Sequence, residues 1–112
     1  MKGYTMSEAD FQNMVIDMAK RCGFEFIYHT WNSRHSPAGF SDLIMLKDGR
    51  MIVAECKKRG GQLSAEQYFW LLEFLKVTDE VYLWCEDDWN EVVRIIGGKN
   101  GLYKRASIVG YN

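Results

Sequence analysis

The sequence predicts an α/β fold in which helices cover a mixed sheet, and three observations lead to this fold class. Apolar residues recur at helical spacing behind two capping signals, at Ser7 and at Ser64. Short apolar runs rich in β-branched and aromatic residues separate the helices and follow the second of them. The pair Asp48-Gly49 lies between two of these runs and is the strongest short signal of a β-hairpin. The predicted order is α-β-β-β-α-β-α, with an antiparallel hairpin in the middle of the sheet.

The first helix is predicted to begin after Ser7, because Asp10 follows three residues later and completes a start that resembles a capping box. Gly23 is well placed to end this helix, since glycine adopts the left-handed conformation that often follows a helix. Residues Phe24 to Trp31 then predict a strand, and a polar loop leads on to the hairpin. The apolar stripe of the helix consists of Phe11, Met14, Val15, Met18, Ala19 and Cys22.

The second helix is predicted to begin after Ser64, where Gln67 at the third helical position completes a full capping box. A last strand over residues 80–85 and a third helix from about Trp89 to Ile96 follow. The glycine-rich tail beyond them carries only a weak structural signal. The expected buried stripe of the second helix consists of Trp70, Leu71, Phe74 and Leu75.

The composition indicates one small intracellular domain that spans residues 1–112. Apolar residues make up 47% and aromatic residues 14% of the chain, which supplies a hydrophobic core and excludes disorder over most of its length. The three cysteines are odd in number and widely spaced, so they predict reduced core thiols rather than disulfides or a zinc site. No apolar run approaches the ~18 residues of a membrane span, and no signal-peptide pattern opens the chain.

The net charge of −1 is not the overall footprint of a nucleic-acid-binding protein. Contacts with DNA would therefore depend on local basic clusters. Arg34 and His35 lie in the loop before the hairpin, and Lys58 and Arg59 follow the hairpin directly. A planar guanidinium suits phosphate oxygens, so Arg34 is a candidate phosphate contact. The basic clusters are Lys20-Arg21, Arg34-His35, Lys57-Lys58-Arg59 and Lys104-Arg105.

The hairpin is expected to place two acids opposite each other at one end of its strands. If Asp48-Gly49 is a two-residue loop, counting outward along both strands brings Asp42 opposite Glu55. Opposed residues share one face of the sheet with Cβ atoms about 4.5–5.5 Å apart, so two carboxylates repel unless a cation lies between them. Lys57 projects from the same face as Glu55. These residues are typical of a divalent-metal site that hydrolyses phosphodiesters. A plain surface ion pair between Glu55 and Lys57 is the alternative.

Three further side chains are open to two interpretations each. Glu8 lies on the stripe of the first helix, where it could extend a metal site or only favour the helix dipole. Gln67 could line the site or serve only as the capping partner. His29 could be a metal ligand or a general base, although a histidine at a strand edge beside a solvated basic loop is the simpler interpretation.

Six stretches, in order along the chain, carry a family resemblance: Ser-Glu-Ala-Asp-Phe-Gln at 7–12, Tyr-His-Thr-Trp at 28–31, Gly-Phe-Ser-Asp at 39–42, Ala-Glu-Cys-Lys at 54–57, Gly-Gln-Leu-Ser-Ala-Glu-Gln at 61–67 and Val-Tyr-Leu-Trp at 81–84. They resemble the PD-(D/E)xK (restriction-endonuclease-like) nuclease superfamily, whose common core is α-β-β-β-α-β. Within it, the chain is most similar to the virus-type replication-repair nuclease (VRR-NUC) domains, especially the short stand-alone ones of phages and bacteria. Ser41 is a departure, because the family usually has a proline before the aspartate.

The resemblance implies that Asp42 and Glu55 hold Mg²⁺ or Mn²⁺, with Lys57 beside the attacking water. A backbone carbonyl near Cys56 is the expected further ligand. Oxygen ligands with a partly hydrated shell suit these ions better than Zn²⁺. The family pattern also implies that Glu8 adds an acidic contact and that Gln67 lines the site.

The implied function is a structure-selective DNA endonuclease that acts on branched DNA, above all on four-way (Holliday) junctions, inside a bacterial or phage-infected cell. Stand-alone members of the family are expected to act as homodimers, and two sites related by a two-fold axis suit paired incisions on a symmetric junction. Two alternatives stay open. One is a nuclease that acts on flaps or duplex DNA, and the other is a non-catalytic DNA-binding module with the same fold.

Overall fold

The computed structural model describes residues 5–30 and 36–98, and within these ranges the α/β class and the predicted order of elements are confirmed. A short 3-10 helix, Glu86–Asp88, precedes the third α-helix and is an addition to the prediction. The helices and strands are α1 (Glu8–Arg21), β1 (Phe26–His29), β2 (Leu43–Lys47), β3 (Arg50–Cys56), α2 (Ala65–Phe74), β4 (Glu80–Trp84) and α3 (Trp89–Gly97).

The four strands form one mixed sheet in the order β1-β2-β3-β4. The pairs β1/β2 and β2/β3 are antiparallel, whereas β3 and β4 are parallel. The predicted hairpin is confirmed, since Lys47 pairs with Arg50 across the loop residues Asp48 and Gly49, whose φ angles are 50° and 80°. Positive φ at both loop residues is what a type I′ turn requires. This register places the start of β2 beside the end of β3, at the end of the hairpin opposite the loop.

Helices cover the two faces of the sheet with separate hydrophobic clusters. On one face, α1 and α3 pack over side chains that include the stacked rings of Tyr82 and Trp84, whose centroids are 5.0 Å apart. On the other face, Leu71 of α2 packs against Val53 and Val81. The buried central strands are apolar on both faces because each face contacts a helix layer.

The first strand is shorter than predicted. β1 covers Phe26–His29, whereas the prediction began at Phe24 and ended at Trp31. Phe24 is buried in the core ahead of the strand, so its aromatic character reflects burial rather than strand structure. After β1 the pairing continues for one hydrogen bond, in which the amide of Thr30 donates to the carbonyl oxygen of Asp42 at 3.0 Å. Trp31 lies outside the described residues.

The helix that covers the second face leaves part of it open, which corrects the expectation of full coverage. Phe26 and Leu46 on β1 and β2 are 69% and 43% exposed. Within the stripe predicted for α2, Leu71 is buried, and the other three members are half-buried. These half-buried members are Trp70, Phe74 and Leu75.

The three cysteines are free thiols, but only Cys56 belongs to the buried core. Cys22 caps the end of α1 and Cys85 precedes the 3-10 helix, and both are half-buried. The expectation of three core thiols is therefore wrong for two of them. An apolar sequence neighbourhood does not distinguish a core position from the end of an element.

Arg50 joins the middle of the sheet to the edge strand β4 and to α3. Its Nε and Nη2 atoms donate to the two carboxylate oxygens of Glu80 at 2.9 and 2.7 Å. Nη1 and Nη2 also donate to the carbonyl oxygens of Gly98 and Ile95, both at 2.9 Å. The side chains of Arg50 and Glu80 are only 15% and 8% exposed. Loss of either Arg50 or Glu80 would leave the other as a buried, unpaired charge, which is strongly destabilising. The bonds from Arg50 to Ile95 and Gly98 hold the end of α3 against the sheet.

The predicted tail, including Lys104-Arg105, lies outside the described residues, as do residues 31–35 of the loop. Within the described ranges, none of the helices has both the length and the apolar character that crossing a bilayer requires.

Candidate active site

Asp42 lies at the open end of the hairpin, directly before β2, and two hydrogen bonds fix it there. Its Oδ2 atom accepts a hydrogen bond from the backbone amide of Cys56 at 2.9 Å. Its carbonyl oxygen accepts from Thr30, as described above. The last pair of the hairpin register is Leu43 with Ala54, so Asp42 and Glu55 are the next residues outward on the two strands. The carboxylate of Asp42 is therefore held against the end of β3.

Glu55 is the buried member of the acid pair, with a side chain that is 0% exposed. Its Oε2 atom accepts a hydrogen bond from Nε2 of Gln67 at 2.9 Å. Its Oε1 atom is buried and has no hydrogen-bond partner among residues 5–30 and 36–98. Burial, and then the negative charge of Asp42, raise the pKa of Glu55 to about 9, although Lys57 opposes this shift. Without a bound cation, the Glu55 carboxyl therefore carries a proton at neutral pH.

This proton gives a testable pH dependence of stability. The pKa of Glu55 is about 9 in the folded protein against an ordinary 4.5, so between these values the native state binds more protons than the unfolded state. The free energy of unfolding should therefore fall as pH rises from about 5 to 9, by at most about 1.4 kcal/mol per pH unit. Urea unfolding in EDTA across this range measures the slope. The isosteric variant Glu55→Gln should flatten it, and an equally steep slope in that variant would contradict the assignment.

Gln67 has both of the roles that the sequence left open. The capping box is present, since the Gln67 amide donates to Oγ of Ser64 at 3.1 Å and Oε1 of Gln67 accepts from the Ser64 amide at 2.9 Å. The same side chain donates from Nε2 to Glu55. Because the cap uses the oxygen of the side-chain amide, its nitrogen must face Glu55. The start of α2 therefore fixes which oxygen of Glu55 is left without a partner.

A pair of alanine variants separates the two roles of Gln67. Ser64→Ala and Gln67→Ala should each destabilise the protein by about 1 kcal/mol, because both remove the cap. Only Gln67→Ala also removes the donor to Glu55, and loss of such a supporting contact typically costs about 10- to 100-fold in metal affinity. Titration with Mn²⁺ in a calorimeter should show this weakening for Gln67→Ala alone. Equal affinities for the two variants would limit Gln67 to capping.

Glu8 and Lys57 approach the acid pair from two different elements. Glu8, in the first turn of α1, has a raised pKa because burial disfavours its charge, while Lys57 and Lys58 lower this pKa and Asp42 raises it further. The backbone amide of Lys57 donates to the carbonyl oxygen of Trp84 at 2.8 Å, so the residue is fixed just beyond the end of β3. The charges of Asp42 and Lys57 therefore both act on Glu8, which places the first turn of α1 close to the end of the hairpin.

The loop before Asp42 is docked on α2 through contacts that the sequence did not predict. Nε1 of Trp70 donates to the carbonyl oxygen of Ala38 at 3.0 Å, and the ring of Phe40 lies edge-on to Trp70 with centroids 5.0 Å apart. Ser41 is fully buried, and its carbonyl oxygen accepts from Oγ1 of Thr30 at 2.9 Å. These contacts hold the approach to Asp42 in place.

Gln12 and His29 form a polar pair beside the site that sequence reasoning missed. Oε1 of Gln12 lies 2.6 Å from Nε2 of His29, and Gln12 is only 9% exposed. Burial lowers the pKa of His29, and the charge of Asp42 partly opposes this shift. The signal was available, because Gln12 interrupts the apolar stripe of α1 one turn after Glu8.

The proposed DNA contacts have different surroundings. Lys58 is exposed, whereas Arg59 donates to both carboxylate oxygens of Asp87 at 2.7–3.0 Å and to Glu86 at 2.7 Å. Arg34 and His35 lie outside the described residues. Only Lys58 and Arg59 can therefore be placed, in the loop that leaves the site.

The residues at the site fit a hard divalent cation. The buried Oε1 of Glu55 lies beside a second carboxylate, and a cation is the group that such an oxygen would bind in place of a proton. Asp42, Glu55 and the backbone carbonyl of Cys56 supply oxygen donors, which Mg²⁺ and Mn²⁺ prefer. In the described part of the chain, no group of three or more His, Cys, Asp or Glu side chains is arranged to bind a metal. Water and substrate oxygens would therefore complete the shell.

Cavities occur at the other end of the hairpin. One of about 510 Å³ is lined by Gly23, Glu25, Phe26 and residues 46–51 of the β2–β3 hairpin, and it contains none of the predicted site residues.

Comparison of the chain with protein-family models, with curated proteins and with solved structures finds no match.

Proposed function

We propose that this chain is a Mg²⁺- or Mn²⁺-dependent endodeoxyribonuclease of the VRR-NUC type within the PD-(D/E)xK superfamily. The observation that carries the proposal is the meeting of two acids at the end of a central hairpin. The Asp42 carboxylate is bound to the Cys56 amide, next to buried Glu55, one oxygen of which is unpartnered among the described residues. A pair of adjacent acids is costly in a protein that does not bind a cation there. The resemblance of the six sequence stretches supports the same family.

The mechanism assigns one task to each side chain. Asp42, Glu55 and the backbone carbonyl of Cys56 would hold the ion, which when bound polarises the phosphate and lowers the pKa of a coordinated water. Lys57 orients the attacking water and offsets the negative charge that develops on the phosphate oxygens. Gln67 keeps one oxygen of Glu55 occupied by a hydrogen bond, so that the other oxygen would be the one to hold the ion.

The preferred substrate is branched DNA, above all the four-way junction, cut by a homodimer. This part of the proposal rests on the resemblance to stand-alone VRR-NUC domains, and a two-fold dimer matches the symmetry of a four-way junction. Lys58, Arg59 and the loop residues Arg34 and His35 are the proposed phosphate contacts, and Arg59 is also ion-paired with Glu86 and Asp87.

The deciding experiment is cleavage of labelled four-way junction, 5′ flap and linear duplex with Mg²⁺, Mn²⁺ or EDTA. We expect metal-dependent cutting of the junction by the wild-type protein and none by Glu55→Ala. A matched control is Glu66→Ala, which removes an exposed glutamate from the first turn of α2.

The other outcomes decide between the alternatives. Metal-dependent cutting of flaps or duplex in preference to the junction would keep the nuclease and replace its substrate. Tight binding of DNA without cutting under any metal would instead support the non-catalytic DNA-binding module.

A further inference from the structure

Two hydrogen bonds hold α1 on either side of Glu8. Before the helix, the backbone amide of Met6 donates to Oε1 of Glu86 at 2.6 Å. One turn after Glu8, Gln12 contacts His29 at the same distance. The first bond joins the start of α1 to the 3-10 helix and the second joins α1 to the end of β1, so together they fix both the position and the rotation of the first turn of α1.

Glu86 connects α1 to the loop that carries Lys57. Its Oε1 atom binds the Met6 amide, and its Oε2 atom accepts from Nη2 of Arg59 at 2.7 Å. Arg59 follows Lys57 by two residues. The Glu86 side chain is 16% exposed, so this contact is better shielded from solvent than the 55% exposed Asp87 beside it. One carboxylate thus ties together the two segments that bring Glu8 and Lys57 to the acid pair.

Gln12 connects α1 to the strand segment that holds Asp42. His29 is the last residue of β1, and the next residue, Thr30, donates to the carbonyl oxygen of Asp42. Gln12 lies in the buried stripe of α1, where an aliphatic side chain would pack without needing a hydrogen-bond partner. A buried amide is costly unless it is hydrogen-bonded, so an amide here needs a reason beyond packing.

We propose that Gln12 and Glu86 are positioning residues that hold Glu8 and Lys57 against the Asp42–Glu55 pair. This inference rests on the proposed nuclease function and adds two residues to the site. Gln12 lies in the stretch 7–12 but was given no role there, and Glu86 lies in none of the six stretches. Both act through other residues, since Gln12 orients α1 through His29 and Glu86 orients it through the Met6 amide.

The first measurement needs neither metal nor DNA. Hydrogen exchange of the backbone amides at residues 6–12 should be faster in Gln12→Leu and in Glu86→Ala than in wild type, while amides of β2 and β3 are unchanged. Asn13→Leu makes the same kind of change at an exposed position of the same helix and should leave the exchange as in wild type. Glu86→Gln retains an acceptor for Met6 and should restore slow exchange.

The second measurement is kinetic and includes the background variant Glu8→Gln. Misplacing a site group by about 1 Å typically costs up to about 100-fold in rate, so Gln12→Leu and Glu86→Ala should lower kcat by about 10- to 100-fold with little change in KM. In the Glu8→Gln background, Gln12→Leu should lower kcat by less than about 2-fold, because residues that act through one another are not additive. Glu86→Gln should recover only part of the rate that Glu86→Ala loses, because its amide keeps an acceptor for Met6 but cannot also accept from Arg59.

The outcomes separate this inference from the proposed function. A wild-type protein that cuts DNA, combined with full additivity of Gln12→Leu and Glu8→Gln, would overturn the positioning role alone. Amide exchange at residues 6–12 that is unchanged in both Gln12→Leu and Glu86→Ala would also overturn it. A wild-type protein that cuts no DNA with any metal would remove the proposed function and this inference together.

Discussion

Lys57→Ala should lose at least about 10²–10³-fold in kcat while its folding and its Mn²⁺ affinity stay close to wild type. Removal of a single charge-stabilising donor from a hydrolytic site typically costs this much. The structure explains why folding should survive, since the bond that fixes this residue uses its backbone amide and the carbonyl oxygen of Trp84. An alanine retains that bond. Single-turnover cleavage of a four-way junction, with calorimetric Mn²⁺ titration and thermal unfolding, measures all three properties.

Lys58→Ala is the matched comparison, because it removes the same side chain from the next, exposed position. A phosphate contact there contributes to binding in the ground state and in the transition state alike, so this variant should raise KM, reduce the salt dependence and leave kcat near wild type. Full cleavage activity in Lys57→Ala would contradict the proposed role of Lys57. Equal losses of kcat in the two variants would mean that general positive charge matters rather than the position of Lys57.

Gly39→Ala should destabilise the protein by about 2–5 kcal/mol and displace both Asp42 and Gln67. Gly39 has a φ of 82°, a conformation that costs a residue with a side chain roughly 1–2 kcal/mol. A Cβ at this position would also lie 2.5 Å from the backbone carbonyl carbon of Glu66, in the first turn of α2. Neither backbone segment can move without disturbing the acid pair, so overpacking adds about 1–3 kcal/mol.

Gly49→Ala isolates the conformational part of this cost. Gly49 in the hairpin loop has a nearly equal φ of 80°, and a Cβ there would meet no atom within 4 Å. Its loss of unfolding free energy in urea should therefore be about 1–2 kcal/mol, with Mn²⁺ affinity unchanged. If the two variants lose equal stability and bind Mn²⁺ equally well, the close packing of the loop on α2 does not position the site.

The hairpin register and the acid pair could be predicted because they depend on local chemistry. A two-residue Asp-Gly loop admits one pairing of the flanking strands, and that pairing alone determines which residue faces Glu55. The caps at Ser7 and Ser64 are equally local, and both are present in the structure. The position of Cys56 in the core followed from the alternation of side chains along β3.

Other parts of the site depend on contacts between distant segments, which periodicity does not encode. The bond between Met6 and Glu86 joins residues 80 positions apart, and nothing in either neighbourhood indicates the other. Gln67 was assigned two competing roles because capping and lining the site looked exclusive, whereas one side-chain amide serves both. The exposure of Leu46 also escaped prediction, because an apolar residue on β2 does not reveal how far α2 extends over the sheet.

The contacts of Arg50 have a consequence for the synthesis of this protein on the ribosome. Its carboxylate partner, Glu80, emerges 30 residues after it, and its last acceptor, the carbonyl oxygen of Gly98, emerges 48 residues after it. Until α3 has left the ribosome, the guanidinium group cannot be buried with all of its partners, so the central strands stay incompletely packed. In a nascent chain that lacks α3, the strands next to the acid pair are therefore incompletely packed. Any activity of the site should then appear only after all of the described residues have been synthesised.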